Sequence, residues 1–410
     1  MNSDFSLDKK FWHGFTKRCW KQKPTVIRAP FRNSIVTPPE VFQAVIKAGQ
    51  RLGEPTDDHT LLIGKRRFVM PKDLDRWLPR AKDVSLERYH ARLKRAGINE
   101  EFAINVTDFQ VELGWNFFCR LRQFLKGLYE IAGVPPHAEI DLFSGNYRQT
   151  PAGVHRDSAE VFCFVVDGTK RIRAWPANAI RSASPRKGPE PYKHHLKRSI
   201  CLEGKAGDII YWPSSYWHIA ESDGRSASSL SVGLYYGSSI FLAVARTFEL
   251  WSHEILGQED DPLASIPFSP RRVPPQIAST AKRVEGQPGR LTRRLMREWM
   301  ERITGYGFTL VPLAGGRSPL RLGRKLRANS ESPILYKKLN GDLVVCTNGR
   351  SIVVAHDRDL MNLLRSLSRG RVCALEANPK VGRRNSQPSF RPAFRKVLKF
   401  LLEERALDYA

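Results

Sequence analysis

Between His137 and Pro176 the chain reads HAEIDLFSGNYRQTPAGVHRDSAEVFCFVVDGTKRIRAWP, a series of short β-rich runs separated by Gly, Pro, Asn and Ser. The same pattern returns in GDIIYWP at Gly207–Pro213 and in SSLSVGLYYG at Ser228–Gly237. Short strands with turn residues at this density are typical of a β-sandwich or a β-barrel. The sequence therefore predicts a mostly β core over residues 137–257.

Residues 1–136, which precede this core, carry helix signals. A helix predicted over residues 37–51 starts with an N-cap threonine and two prolines, which are favourable in a first turn. A second amphipathic helix is predicted over residues 115–132, and Gly133 marks its end. An earlier helix is expected to break at Pro24, before a short strand. We interpret this region as helices and short strands that complete the core.

The C-terminal part of the chain has a different composition. Residues 258–290 are rich in Pro, Asp and Arg, and residues 291–304 form a basic amphipathic pattern. Two strand runs followed by a helix are predicted over residues 332–375, and another basic helix follows them. We therefore predict a linker with a helical segment over residues 258–310 and a basic, winged-helix-like α/β module over residues 311–410.

The net charge of the 410-residue chain is +26, which is large for a protein of ordinary charged-residue content. Residues 271–410 contain 29 Lys and Arg against 11 Asp and Glu, a surplus of 18. A surplus of this size indicates an anionic partner such as nucleic acid, a ribonucleoprotein, an acidic peptide or a membrane surface. The alternative is a generally basic surface that binds no particular partner.

The six cysteines are scattered and form no CxxC pair, a pattern typical of thiols in a reducing compartment. No apolar run approaches the roughly 18 residues that a membrane span needs. The first residues, MNSDFSLDKKFW, lack the basic and apolar regions of a signal peptide. We expect a cytoplasmic protein with no membrane partner.

His155-Arg156-Asp157 places two metal-ligand residue types at a spacing of two. Because residues i and i+2 of a strand point to the same side, this imidazole and this carboxylate would enter the same cavity. Two His and one carboxylate on one face of an ion are typical of non-haem Fe(II) sites, which keep positions open for other ligands. The third ligand must come from a distant strand, and His218 follows a strand that ends at Pro213.

This tripeptide is a weak signal by itself. A chain with ten His is expected to match His-x-Asp or His-x-Glu by chance, and His137-Ala138-Glu139 is a second match. We interpret His137 and Glu139 as a surface pair that precedes the sheet. For His155, Asp157 and His218 the alternative to metal binding is a set of polar groups satisfied within the core.

Several motifs around His155 are similar to those of a known family. They are HRDSAEVF at 155–162, GTKR at 168–171, GDIIYWP at 207–213, WH at 217–218, FW at 11–12 and WKQKP at 20–24. They resemble the JmjC-type 2-oxoglutarate oxygenases, and the bacterial ribosomal oxygenase branch most closely. The resemblance implies a double-stranded β-helix (a jelly roll or cupin fold) with N-terminal helices, a helical linker and a winged-helix-like C-terminal module.

The resemblance also implies roles for single residues. His155, Asp157 and His218 match the family's Fe(II) ligands, and the cosubstrates are 2-oxoglutarate and O2. Lys170 lies where the family places a basic residue that binds the distal carboxylate of 2-oxoglutarate. A buried ammonium suits that carboxylate, although Arg171, on the opposite face of the strand, is a competing candidate.

Ser231 and Tyr147 resemble positions that line the cosubstrate pocket, and ordinary strand packing is the alternative for both. Two departures concern the substrate side of the pocket. Val154 stands where the branch usually has a proline, and Ala159-Glu160 replaces an aromatic–acidic pair. Neither departure removes a metal ligand.

The function that the resemblance implies is hydroxylation of a side chain in a protein or peptide, such as a ribosomal protein. The motif does not favour hydroxylation over demethylation. A hydroxylase acting on RNA is an alternative that the basic surplus supports. Another alternative, from a different class, is a non-catalytic basic protein that binds nucleic acid or peptide on a cupin scaffold.

Two further expectations concern partners. Residues 177–199 form a basic connection, and together with the basic C-terminal region they predict contact with RNA or a ribonucleoprotein, or with an acidic peptide held by the C-terminal region. The alternative for this connection is a solvated flexible loop. The helix at 291–304 carries an apolar stripe that predicts a homodimer, as the resembling family has, and packing on the chain's own barrel is the alternative. The stripe consists of Leu291, Leu295, Trp299 and Ile303.

Overall fold

The computed structural model divides the chain into two compact units. The first contains Met1–Gly237 and Gly307–Leu313, and the second contains Ser238–Tyr306 and Ala314–Ala410. The structure describes the following residues: 4–50, 59–63, 66–68, 77–96, 101–150, 152–180, 192–237, 248, 251, 282, 285, 288–316, 320–321, 324–339, 341–374 and 392–410. The linker expected over residues 258–290 therefore lies almost entirely outside the described residues.

The first unit is built on two antiparallel sheets. The larger sheet has the strand order β1-β9-β6-β11-β5-β4-β2-β3, and the smaller has the order β10-β7-β8. The strands are β1 Thr25–Ile27, β2 His59–Ile63, β3 Arg66–Phe68, β4 Phe102–Val106, β5 His137–Gly145, β6 Glu160–Asp167, β7 Thr169–Pro176, β8 Ile200–Lys205, β9 Ile209–Trp212, β10 Tyr216–Glu221 and β11 Ala227–Tyr235. This is the predicted jelly-roll core, and the N-terminal region contributes four strands to its larger sheet.

The helices of the first unit are α1 Lys9–Arg18, α2 Pro38–Gln50, α3 Leu86–Arg95 and α4 Gln110–Ala132. Helices α2 and α4 are the two predicted over residues 37–51 and 115–132. Helix α4 starts five residues earlier than predicted, with a non-helical break at Gly114, where φ is +78°. Helix α3 starts at the N-cap Ser85, whose side chain accepts a hydrogen bond from the backbone of Arg88.

Strand β6 shows how the core is layered. Its sequence, EVFCFVVD, is apolar at almost every position because both of its faces are buried. Phe162 and Phe164 pack against Phe124 of α4, at ring-centroid distances of 5.4 and 5.2 Å. Val161 and Cys163, on the other face, line a cavity between the two sheets. The helices therefore cover the outer face of the large sheet and leave its inner face to the cavity.

Helix α1 is held against α4 by a fully buried indole. Trp12 lies 5.2 Å from the Phe124 ring and 6.3 Å from Phe162, centroid to centroid. Gly127 of α4 faces the indole directly, and a β-carbon at this position would overlap the ring of Trp12. The absence of a side chain at Gly127 therefore lets α1 approach α4 and close the core beside the cavity.

The second unit contains helices and two three-stranded sheets. Its elements are α5 Pro288–Thr304, β12 Lys325–Ala328, β13 Leu335–Leu339, β14 Asp342–Thr347, β15 Arg350–Ala355, α6 Arg358–Ser368, β16 Cys373–Ala374, α7 Pro392–Glu403 and β17 Leu407–Tyr409. The predicted pair of strands and following helix are β14, β15 and α6. Leu326, Leu364 and Leu401 belong to the core that α6 and α7 form with the strands. The module is α/β as predicted, and its winged-helix character stays a prediction.

Helix α5 carries the stripe for which a homodimer was predicted. Within the second unit, α5 buries Met300 in a cluster with Val344 and Cys346 of β14. Trp299, in contrast, is 47% exposed. The homodimer stays a prediction, and Trp299 is the member of the predicted stripe that is most exposed.

None of the helices that the structure describes is both long enough and apolar enough to cross a membrane. The six cysteines all lie in the described part of the chain, and each is a free thiol.

The contact between Gly127 and Trp12 gives a test of the packing. Ala normally stabilises a helix relative to Gly by about 1 kcal/mol, but overpacking a filled core costs about 1–3 kcal/mol. Gly127→Ala should therefore lower the free energy of unfolding, measured by urea denaturation. Gly14→Ala, in helix α1, is the matched control, because its new methyl group meets only the flexible end of the Arg18 side chain. If Gly127→Ala is as stable as Gly14→Ala, Trp12 does not fix the distance between α1 and α4.

Candidate active site

His155 and His218 are held opposite each other by the backbone. The two residues form an isolated antiparallel bridge. The amide of His155 donates to the carbonyl of His218 at 2.9 Å, and the amide of His218 donates to the carbonyl of His155 at 2.8 Å. The two imidazole centroids are 4.2 Å apart as a result. The spacing of the rings is thus set by main-chain hydrogen bonds rather than by side-chain packing alone.

Asp157 completes a cluster of three donor groups. Its Oδ1 lies 3.6 Å from Nε2 of His155, and its Oδ2 lies 3.3 Å from Nε2 of His218. Two ligands at about 2.1 Å from one ion and at right angles lie roughly 3 Å apart. One donor atom from each of the three residues falls within 4.8 Å of the others. The donor set and the spacing fit an Fe(II) ion held on one face by two His and one carboxylate.

Both imidazoles are in a state suited to metal binding. Nδ1 of His155 lies 2.9 Å from the carbonyl of Gly153, which assigns the proton to Nδ1 and leaves the Nε2 lone pair free for an ion. Complete burial lowers the pKa of His218 to about 4, against a smaller opposite effect of the Asp157 carboxylate. His218 is therefore neutral at physiological pH, as a ligand must be.

The three residues lie at one side of a cavity between the two sheets. The cavity has a volume of about 120 Å³, which is room for roughly ten water-sized groups at 10–15 Å³ each. Its polar and charged lining comes from strands of both sheets. This lining consists of Glu139, Asp141, Thr150, His155, Asp157, Lys170, His218, Ser229, Ser231 and Tyr235.

Lys170 lies at the innermost end of this cavity. The residue is only 2% exposed, and its Nζ donates to the hydroxyl of Tyr147. Nζ also lies 5.9 Å from the centroid of the Phe143 ring. Arg171 points the opposite way and pairs with Glu203 at 2.8 Å on the exposed face of the small sheet. The structure therefore places Lys170, and not Arg171, in the cavity.

Strand register sets the distance between Lys170 and the metal ligands. Ala174 of β7 pairs with His218 of β10. Lys170 precedes Ala174 by four residues, which corresponds to roughly 13 Å along a strand. The four-carbon stem of Lys170 bridges part of that length, and the remainder leaves space for a small elongated molecule between Nζ and the triad. We call the part of the cavity around Lys170 the basic end.

The structure brings the six predicted site residues together. Ser231 lines the cavity opposite Asp141, its partner in the β11–β5 pairing. Tyr147 is 2% exposed and reaches the cavity through its bond with Lys170. Their roles in cosubstrate binding stay predictions.

The cavity also has an acidic end, which sequence analysis missed. Glu139, Asp141 and Phe143 alternate along β5 and face the cavity, whereas the residues between them are buried on the other side of the sheet. Glu139 accepts a hydrogen bond from the hydroxyl of Tyr235. Burial, with a further contribution from the Glu139 charge, raises the pKa of Asp141 well above its usual range.

The interpretation of His137 and Glu139 as a surface pair ahead of the sheet was therefore wrong. The two side chains lie within 3.3 Å, but they occupy the first residues of β5. The alternation that starts at His137 was a usable signal, because it places Glu139 and Asp141 on the same face as Phe143.

The cavity opens toward its acidic end. The side chains of Asp157 and Glu139 are 33% and 26% exposed, whereas Lys170 at the other end is 2% exposed. A molecule that enters from solvent therefore passes the acidic end and the triad before it reaches Lys170.

Glu160, one of the two departures from the family pattern, does not enter the cavity. Its buried carboxylate accepts hydrogen bonds from Oη of Tyr211 at 2.5 Å and from Oγ of Ser214 at 2.9 Å. These bonds tie β6 to the turn between β9 and β10, which leads to His218. Ala159 does line the cavity, and its small side chain leaves open the space that an aromatic ring would fill.

The basic connection predicted over residues 177–199 is described only in part, because residues 181–191 lie outside the described residues. Its last part is a 3₁₀ helix, Tyr192–Arg198, in which Lys193, Lys197 and Arg198 are exposed. Its role in docking stays a prediction.

Asp157 gives the most direct test of the metal site. Asp157→Asn keeps the side-chain shape but removes the anionic donor, so the affinity for Co(II) should fall by at least about 100-fold. Isothermal titration of the purified protein measures this affinity without any turnover. Asp141→Asn makes the same chemical change in the same cavity and should leave Co(II) affinity within a factor of a few. Equal affinities for wild type and Asp157→Asn would rule out this site.

Comparison with known proteins supports the fold. A family model described as the JmjC domain matches residues 130–240. No curated protein matches the chain. An X-ray structure of Escherichia coli YcfD is 17% identical, with full coverage of both chains and a TM-score of 0.50.

A second E. coli structure, described as YcfD, a ribosomal oxygenase, is 16% identical over 100% of this chain and 99% of its own, with a TM-score of 0.49. A third, of YcfD with cobalt and 2-oxoglutarate, is 16% identical over 99% of both chains, with a TM-score of 0.48. The first of these structures, at 17% identity, supports the fold alone. Residues 130–240, which contain the His155, Asp157 and His218 cluster and Lys170, match the family model of the JmjC domain.

Proposed function

We propose that this protein is an Fe(II)- and 2-oxoglutarate-dependent oxygenase that hydroxylates a side chain of a protein or peptide substrate. The observation that carries the proposal is the buried ammonium of Lys170. Among the described residues, no carboxylate lies within ion-pair distance of it, and its hydrogen-bond partner is the neutral hydroxyl of Tyr147. Because burying an unpaired charge is costly, such a group is best explained by an anionic ligand.

The chain's residues divide the work of the proposed reaction. His155, Asp157 and His218 would hold the ion and leave its other coordination positions facing the cavity. Lys170 and Tyr147 would bind the far carboxylate of 2-oxoglutarate and orient the molecule toward the triad. Bound Fe(II) with O2 would supply the oxidising chemistry, in which 2-oxoglutarate becomes succinate and CO2 and one oxygen atom enters a substrate C–H bond.

The cavity walls support a reaction that must exclude bulk water. Trp212 is 4% exposed, and its ring lies 4.9 Å from the imidazole of His218. Val161 and Ile172 add apolar surface between the triad and Lys170. A dry cavity strengthens the pairing of Lys170 with a carboxylate and protects reactive species from side reactions.

The acidic end of the cavity favours a cationic substrate side chain. A carboxyl whose pKa is raised by burial and by a neighbouring carboxylate gains stability when a positive charge approaches. Glu139 lies on the open side, where a substrate side chain would arrive, and Asp141 follows two residues further along the same face of β5. We infer that the hydroxylated residue carries a positive charge at the pH of the reaction.

Two other functions are less well supported. An RNA-directed hydroxylase would have to bring phosphate-linked groups past Glu139, whose carboxylate repels phosphate. A non-catalytic binding protein on a cupin scaffold would have no need for Lys170 to be buried in line with a three-donor cluster. Succinate formation that depends on both Fe(II) and 2-oxoglutarate distinguishes the enzyme from the binding protein.

Lys170 provides the kinetic test of the proposal. A hydrogen-bonded charge pair is worth about 1.5–3 kcal/mol, so Lys170→Ala should raise the 2-oxoglutarate KM by about 10- to 100-fold. Co(II) affinity should stay unchanged, since Lys170 does not touch the triad. Arg171→Ala, which removes a cation from the opposite face of the same strand, should leave this KM as in the wild type. A larger effect of Arg171→Ala than of Lys170→Ala would contradict the assignment.

The acidic end provides a separate test of substrate class. Peptide pools that differ only in a central Arg, Lys, Ala or Glu can be compared for their stimulation of 2-oxoglutarate turnover. The Arg or Lys pools should stimulate the wild-type protein at least about 10-fold more than the Glu pool, because a paired buried charge contributes 1.5 kcal/mol or more. Asp141→Asn should remove this preference and keep the basal turnover. Equal stimulation by the Arg-, Lys- and Glu-centred peptides would show that the acidic end does not select the substrate.

A further inference from the structure

The N-terminal segment of the first unit is basic without compensation. Residues 9–32 contain eight Lys and Arg and no Asp or Glu. All eight side chains are exposed, namely those of Lys9, Lys10, Lys17, Arg18, Lys21, Lys23, Arg28 and Arg32. Four of them, Lys17, Arg18, Lys21 and Lys23, surround the turn between α1 and β1. We call these four the basic turn.

Strand register places the basic turn beside the open end of the cavity. Thr25 of β1 pairs with Tyr211, and Ile27 pairs with Ile209, so the strands are antiparallel. The residues that precede Thr25 therefore lie at the end of the sheet toward which β9 runs. Trp212, the last residue of β9, lines the cavity next to His218.

Hydrogen bonds connect the basic turn to the site. The amide of Lys21 donates to Oη of Tyr211 at 2.8 Å. Oη of Tyr211 donates in turn to Glu160, which also accepts from Ser214 in the turn that leads to His218. The basic turn is thus joined to the metal-ligand region by a chain of three hydrogen bonds.

Aromatic contacts fix the basic turn at the acidic end of the cavity. Nζ of Lys21 lies 4.8 Å from the centroid of the Tyr236 ring. Tyr236 directly follows Tyr235, whose hydroxyl binds Glu139. Trp20 stacks on Tyr211 at 5.8 Å and meets Tyr236 edge-on at 5.4 Å. Trp20 and Lys21 are therefore packed against the end of the large sheet, and the basic turn is anchored there through these two residues.

The sign of the charge inside the cavity is opposite to the sign outside it. Glu139 and Asp141 favour a cation inside, but the basic turn repels an isolated cationic peptide that approaches from solvent. The ionic contacts of the described residues include no carboxylate that neutralises these four side chains, whereas Arg28, further along, pairs with Asp208. A cationic residue embedded in a polyanionic assembly satisfies both requirements.

The chemistry of the basic turn indicates which polyanion fits. Its four members are cations without an exposed aromatic ring among them, since Trp20 is 8% exposed. Stacking on bases needs such a ring, whereas contact with the phosphate backbone needs only Lys and Arg. Structured RNA is recognised largely through its phosphates and its shape.

We propose that the basic turn docks the phosphate backbone of structured RNA, in the particle that presents the substrate residue to the cavity. This deepens the proposed function and rests on it for the identity of the presented residue. The RNA contacts the rim of the domain and does not enter the cavity.

The test compares two variants of the full chain that remove the same charge. Lys17→Gln, Arg18→Gln, Lys21→Gln and Lys23→Gln together neutralise the basic turn. Lys82→Gln, Arg88→Gln, Lys94→Gln and Arg95→Gln neutralise four exposed side chains in and before α3. Helix α3 contacts Ser226, at the start of β11, whereas Tyr236 follows the end of that strand. The control charges therefore lie at the opposite end of the sheet.

Binding of a fluorescent RNA hairpin of mixed sequence is measured by anisotropy at several salt concentrations. Each lost phosphate contact lowers the slope of log K against log salt by about 0.7–0.9, so the basic-turn variant should lose about 3 units of slope. The control variant should keep a slope close to that of the wild type. Circular dichroism confirms that both variants are folded.

Other outcomes overturn the proposal. Equal losses in the two variants would mean that net charge alone attracts RNA. Tighter binding of wild type to vesicles of phosphatidylglycerol and phosphatidylcholine than to the hairpin, through the same four residues, would make a membrane surface the partner. Basal 2-oxoglutarate turnover, measured on the same samples, should be unchanged in the basic-turn variant, because none of its four residues lines the cavity. Loss of RNA binding with intact turnover supports docking by the basic turn. Absence of turnover in the wild type contradicts the proposed function instead.

Discussion

The buried ammonium of Lys170 is the constraint on which the rest of the site depends. A charged group at 2% exposure, bound to a neutral hydroxyl, is stable only if the fold repays its desolvation elsewhere or a ligand supplies an anion. The register of β7 against β10 then fixes how far this charge lies from His218. The main-chain bridge between His155 and His218 fixes the triad. The strand register and the main-chain bridge together set the length of a ligand that fits between Lys170 and the triad. The ammonium of Lys170 requires this ligand to be anionic at that end.

Much of the fold follows from local sequence signals, and the exceptions have physical causes. The apolar runs of β6 and β9 and the alternation of β5 predict strands directly. Strand β8, ICLEGK, was not predicted because most of its side chains are exposed, and its pairing with β7 decides its conformation. Strand β10 was not predicted because YWHIAE is too short to show a period. Tertiary pairing determines both strands, and no local window contains it.

The metal ligands and Lys170 were predictable because a short motif places them, but the acidic end was not. The alternation of β5 places Glu139 and Asp141 on one face, but it does not say which face of β5 meets the cavity, and that depends on how β5 lies between β11 and β4. Glu160 shows the opposite case: it belongs to a departure from the family pattern on the substrate side of the pocket, yet its carboxylate accepts hydrogen bonds from Tyr211 and Ser214 outside the cavity. The cavity has an acidic opening, and the surface beside it is basic. This difference in charge is visible only in the folded structure, because it arises from distant segments of the chain.

The proposed oxygenase activity is tested most directly by following the oxygen atom itself. Cells that express the wild-type chain or Asp157→Ala can be grown under ¹⁸O2, and their ribonucleoprotein fractions can be digested and compared by mass spectrometry. Wild-type cells should contain a peptide that gains one ¹⁸O atom on a cationic residue, and cells that express the variant should lack this gain. A fraction in which no peptide gains oxygen, or in which the gained oxygen is ¹⁶O from water, would contradict the proposed activity.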